Sequence, residues 1–214
     1  MSALRLHEAL CFDSMQKQLF FYDDFLGDQL QDEWGTGGGG SGTTAVVDGQ
    51  TGGIIRLSTG IVDGNTRFIN WSDIRSILIT KNACLEVRAS MNSITVSRIY
   101  YFLFYDWDNY LSISYASTDV PRWRSESRSG GTETKLNAGN PNADTSYHIH
   151  RVQCATDGGN HIHYYIDGTE LPTSPHTTNL PTASYLQPRI QLEIVSGGVA
   201  KSADIDYVGV RQDI

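Results

Sequence analysis

Arg151-Val152-Gln153-Cys154-Ala155-Thr156-Asp157-Gly158-Gly159-Asn160-His161-Ile162-His163-Tyr164-Tyr165-Ile166-Asp167 alternates apolar and polar side chains on either side of a glycine turn. Successive side chains of a strand point to opposite faces. From His161 onward, that alternation puts Ile162, Tyr164 and Ile166 on one face and His161, His163 and Tyr165 on the other. The apolar face is the one expected to be buried. On the preceding strand the matching positions are Val152 and Cys154. A turn at Asp157-Gly158-Gly159 sets them opposite Tyr164 and Ile162. The stretch reads as an antiparallel hairpin with one dry face.

Outward from this hairpin, similar runs alternate with turn residues along most of the chain. Strands are expected at 20–25, 44–47, 54–59, 67–71, 77–80, 83–91, 95–105, 110–116, 123–126, 133–136, 147–154, 161–167, 186–195 and 203–212. Gly contributes 21 residues and Tyr 11, while charged residues are only 19% of the 214, a balance that favours pleated strands and tight turns over helices. The expected fold is all-β, a two-sheet antiparallel jelly-roll sandwich spanning residues 21–214 as one domain. The run Gly37-Gly38-Gly39-Gly40-Ser41-Gly42 is read as a surface loop rather than a linker, because the aromatics of Phe20 to Trp34 need a core that lies after it. Residues 1–20 read as an N-terminal arm. Leu4, Leu6, Leu10, Phe12, Met15, Leu19 and Phe20 are apolar there without a period of 2 or 3.6, so the arm is expected to serve assembly with a partner.

A net charge of −8 offers no footprint for nucleic acid or anionic lipid, since phosphates call for clustered Lys and Arg. The one basic cluster, Arg122, Arg124 and Arg128 interrupted by Glu126, reads as solvated surface. Cys11, Cys84 and Cys154 are too few and too scattered for a disulfide framework and read as free thiols. Neither a signal peptide nor a membrane span is legible, so synthesis in a host cytoplasm is expected.

Several stretches in order resemble the concanavalin A-like lectin/glucanase superfamily, in particular its laminin-G-like modules. They are Phe21-Tyr22-Asp23-Asp24-Phe25 before Trp34, Gly53-Ile54-Ile55-Arg56-Leu57, Ala83-Cys84-Leu85-Glu86-Val87-Arg88, Tyr165-Ile166-Asp167-Gly168 and Asp204-Ile205-Asp206-Tyr207-Val208. The chain is also similar to a module of bacteriophage virion proteins at Ser129-Gly130-Gly131-Thr132-Glu133-Thr134 and at Val210-Arg211-Gln212-Asp213. The resemblance implies a jelly roll that builds a virion, binds glycans or cleaves them.

Glycosidases of this kind carry paired carboxylates on one strand face as Glu-x-Asp-x-x-Glu, which is absent here. Asp204 and Asp206 share a face without a third acid, and Glu86 and Glu193 stand alone on their strands. Polysaccharide lyases need a Gln/His/Arg/Tyr set, for which only Tyr147-His148-Ile149-His150 invites comparison. The pairs His148/His150 and His161/His163 fall on opposite faces of the hairpin and are not expected to converge on a metal. Asp106, Asp108 and Asn109 form the one oxygen-rich turn where calcium would bind, and a capped β-turn accounts for them equally. No other cofactor is expected. Trp107, Tyr110 and Trp123 are the candidates for stacking on sugars, with Trp107 and Trp123 the two expected to be exposed.

The function expected on these grounds is non-catalytic: a capsid decoration (cement) or fibre component on the virion surface. Its partners would be its own copies, with a trimer among the options, and a capsid or tail protein. The alternatives are a lectin-like module for a surface glycan, and a polysaccharide lyase or glycoside hydrolase.

Overall fold

A computed structural model of the chain describes residues 18–214, apart from residues 28, 48–52, 73, 156–159 and 183. Among these the chain forms two antiparallel sheets. One has the order β13 (Thr169–Glu170), β12 (His161–Ile166), β11 (His148–Ala155), β6 (Cys84–Met91), β15 (Ser202–Asp213), β4 (Ile55–Ser58) and β3 (Thr43–Val46), with β1 (Gln18–Asp23) paired to the far half of β15. The other has the order β10 (Thr132–Leu136), β9 (Arg124–Ser129), β8 (Asn109–Ala116), β7 (Ser97–Asp106), β14 (Gln187–Ile194), β5 (Thr66–Asn70) and β2 (Gly35–Gly37).

The hairpin of β11 and β12 has the expected register, with Val152 opposite Tyr164 and Cys154 opposite Ile162, while the expected turn at Asp157-Gly158-Gly159 lies outside the described residues. All four are buried. The same alternation places Leu85, Val87 and Ala89 of β6 and Ile99, Tyr101 and Leu103 of β7 in one core between the sheets. Each large side chain fully withdrawn from water there contributes on the order of 1.5–3 kcal/mol.

Two expectations change. Residues 77–80 do not form a strand: Ile77 makes a single bridge to Leu186, and Ile79–Lys81 is a turn of 3-10 helix. Of the seven apolar arm residues, Leu19 and Phe20 lie in β1, opposite Gln212 and Arg211, because β15 runs on to Asp213 and offers them a ladder. Leu4, Leu6, Leu10, Phe12 and Met15 lie outside the described residues. Of the glycine run only Gly37 joins a strand, at the end of β2, and the rest is loop as expected; a Cβ on Gly37 would press on the Phe68 ring, which would have to shift.

Candidate functional site

In β7, Ile99, Tyr101 and Leu103 enter the core, so Arg98, Tyr100, Phe102 and Phe104 must face away from it. The ladders extend this outer face of the seven-stranded sheet into cross-strand rows. The first runs Glu133, Arg128, Tyr110, Phe104 and Gln187. Beside it lie Lys135, Glu126, Ser112, Phe102, Arg189 and Asn70. A third row runs Arg124, Ser114, Tyr100, Gln191 and Phe68.

At the centre Phe102 is fully buried although it faces away from the core. It lies 4.6 Å from Tyr100, 5.2 Å from Phe104 and 5.3 Å from Tyr110. Trp107, in the β7–β8 turn, is 5.5–6.4 Å from all four rings and inclined to them by 72–84°. Phe102 and Tyr110 are themselves nearly perpendicular, at 79°. Only a plane crossing the edges of all four rings is steep to each of them, and only a position above the cluster is close to each. The indole therefore lies flat on four ring edges, the favoured edge-to-face arrangement. Its other face is open, which fits an exposure of 47%.

Of the three sugar-stacking candidates, only Trp107 is exposed. Tyr110 is buried beneath it. Trp123 is 2% exposed and packs in the core on Tyr101, Tyr115 and His150. The cause is parity: Arg124 takes the outer face, so Trp123 turns inward.

Within the basic cluster, Arg124 is buried rather than solvated, while Arg122 and Arg128 stay partly exposed. Glu126, 1% exposed, accepts from Ser112 Oγ at 3.1 Å and Ser114 Oγ at 2.6 Å and pairs with Arg124 Nε at 3.3 Å. Arg124 reaches Asp119 at 3.0 Å, and Lys135 Nζ is 3.9 Å from Glu126. A buried carboxylate survives because these donors replace its water. On the inner face of β9, Ser125 Oγ and Ser127 Oγ hold the two ring nitrogens of His176, each at 2.9 Å. Burial pushes that imidazole down to about 4.

Glu133, exposed on β10, accepts from the Tyr110 hydroxyl at 2.5 Å. Burial and the charges of Glu126 and Glu133 push the phenol up, so it keeps its proton and donates. Arg128, opposite both residues in the ladders, donates to Asp108 Oδ1 at 3.3 Å. One corner of the face thus gathers two exposed carboxylates, a phenol, a guanidinium and the flat indole. Sequence reading missed Glu133 and Glu126. The available signal was the alternation Arg124-Ser125-Glu126-Ser127-Arg128, a strand with charges on one face and small hydroxyls on the other.

The remaining candidates lie elsewhere. Asp106 Oδ1 takes the backbone N–H of Asp108 and the amide of Asn109, so the proposed calcium turn uses its own ligands as caps. Among the described residues no three His, Cys, Asp or Glu side chains are arranged to hold a metal. Asp204 and Asp206 pair with Arg56 and Arg88 on the other sheet, and Glu86 accepts from Tyr207 there. Glu193 pairs with Arg98 at 3.4 Å. His148 lies between Asp167 and Asp144, and His163 on Glu170. His150 stacks on Tyr101 inside the core, where burial pushes it down to about 3.

No protein-family model matches the sequence, and no curated protein matches it. Among solved structures the chain is similar to a protein of unknown function from Shewanella oneidensis MR-1, at 10% identity and a TM-score of 0.69, over 98% of this chain and 97% of that one. It is similar to the beta-glucanase of Bacillus licheniformis at 16% identity and a TM-score of 0.64, over 89% and 97%. A carbohydrate esterase of the Shiga toxin-encoding bacteriophage phi24B matches at 15% and 0.54, over 85% and 90%. Identities this low carry the fold, which is the jelly roll of the glucanases. The expectation of a chain that is not an enzyme is corrected by this set, which consists mostly of beta-glucanases and glycosidic hydrolases with the esterase beside them.

Proposed function

We propose that the protein is a glycoside hydrolase that lays a polysaccharide across the outer face of the seven-stranded sheet and cleaves it beside Glu133 and Asp108. The observation that carries this reading is the corner itself: two exposed carboxylates, Glu133 on the Tyr110 hydroxyl and Asp108 on the Arg128 guanidinium, beside an indole seated on a buried aromatic cluster. Glycosidic cleavage needs one carboxyl to protonate the leaving oxygen and a second to activate water or attack the sugar carbon. Glu133 is the proposed acid–base residue, oriented by the Tyr110 hydroxyl, with Asp108 as its partner. Glu126 is too deeply buried to touch a sugar and positions the face by holding Ser112, Ser114 and Arg124. The fold shared with beta-glucanases makes β-glucans the first substrates to try.

Reducing-sugar release from lichenan and laminarin tests the reading directly. We expect turnover by the parent chain and a loss of about a hundredfold or more in Glu133→Gln, in line with removal of a general acid–base group. No release from any of a panel of β- and α-linked polysaccharides would sink it, as would release that Glu133→Gln and Asp108→Asn both leave unchanged.

The setting expected from the sequence, a bacteriophage particle, is carried into the proposal because a phage carbohydrate esterase has the same fold. There the enzyme would act on a host surface glycan. Detection of the chain in purified particles by peptide mass spectrometry checks this, and its absence from them would refute it.

A further inference from the structure

We infer that Trp107 is a preformed stacking platform for a neutral pyranose ring, a subsite that rests on the glycan-directed reading above. The indole is already flat, one face carried on the edges of Tyr100, Phe102, Phe104 and Tyr110 and the other half of its surface in solvent. A ring fixed in this way loses little freedom when a ligand lands on it. The electron-rich indole face attracts weakly positive C–H groups. A pyranose whose hydroxyls are equatorial presents axial C–H groups on its flat faces, so it is the sugar geometry that fits. The charge nearby selects against acidic sugars. Asp108, the next residue, has a side chain 66% exposed, and Glu133 is exposed on the same corner. Arg128, the guanidinium at this corner, is partly buried and already held by Asp108, so a uronate or sulfated unit seated on the indole would meet a net negative charge that a neutral ring does not feel.

Tryptophan emission reads the subsite separately from cleavage. Trp34, Trp71 and Trp123 are buried, so a ligand-induced change reports on Trp107. Titration of the full chain with laminarihexaose and cellohexaose should shift the emission to the blue. Oligogalacturonate of equal length should leave it unchanged. Trp107→Ala should weaken binding of the neutral oligosaccharide, measured by calorimetry, by roughly tenfold or more, with Trp107→Phe in between and the far-UV circular dichroism of both unchanged. Equal or tighter binding of the galacturonate, undiminished binding by Trp107→Ala, or no binding of either neutral oligosaccharide at millimolar concentration would each overturn the inference. Neutral sugar bound on Trp107 without any bond cleavage would remove the hydrolase and leave the platform. Parent-level cleavage by Trp107→Ala, with binding undiminished, would do the reverse.

Discussion

His148 shows how a single side chain makes stability depend on pH. Burial pushes its imidazole down, but the hydrogen bonds and charges of Asp167 and Asp144 outweigh that and leave it raised above 6.5. Asp167 is lowered below 3.8 by the Ile149 amide and by His148, against the opposing effect of burial; for Asp144 the Ser146 amide dominates. The raised imidazole stabilises the fold below pH 6.5 and loses that contribution as pH rises through its folded value. The lowered carboxylates stabilise above pH 3.8 and lose theirs as pH falls through their folded values. The triad is therefore worth most between about pH 4 and 6.5. His148→Gln should melt a few degrees below the parent there, reflecting roughly 1 kcal/mol or less for partly exposed pairs, and the gap should close by about pH 9. A gap that widens from pH 7 to 9 would contradict the assignment. At this scale, reading the sequence succeeds where parity alone decides, as at Ile162 and Tyr164. It fails for Tyr110, whose burial depends on Trp107 folding back from a turn.

Among elements, β1 ties the start of the described chain to its end. Phe21 points inward, 5.7 Å from Trp34 and 5.0 Å from Trp71, while buried Asp23 accepts from Trp34 Nε1, Gln31 Nε2 and the Phe25 amide. Burial raises that carboxyl even so, because its donors only partly replace lost water. Phe21→Ala should cost about 2–3 kcal/mol, somewhat less than a fully buried ring, and deletion through Asp23 should cost more. Chemical denaturation checks both. A deletion with the parent midpoint would show that β1 is an accessory and restore the arm boundary near residue 20. In β2 the close approach of backbone to ring makes a similar demand: Gly37→Ala has to displace Phe68, with a predicted loss of about 1–3 kcal/mol from overpacking. A melting temperature equal to the parent's would show that the ring yields without cost.

For the molecule as a whole, the two sheets share one core, and access to it requires their separation. Cys154 lies in that core, and burial pushes its thiol up. Iodoacetamide at about pH 8 should therefore leave Cys154 unmodified in the native chain and alkylate it in denaturant, as read by peptide mass spectrometry. Rapid native labelling would mean that the sheets part locally. Cys84 and Cys154 are both free thiols, and Cys11 lies outside the described residues. Alternating polarity, glycine turns and few charges fix by themselves the all-β class, most strand positions and the register of the 147–167 hairpin, because those depend on neighbours a few residues apart. Which polar groups come together is settled only by tertiary structure. Glu133, Arg128 and Tyr110 come together because β10, β9 and β8 stack in register, and Asp108 joins them because the β7–β8 turn brings it to Arg128. A period of two tells which face a side chain takes, but it carries no information about which strand will lie alongside.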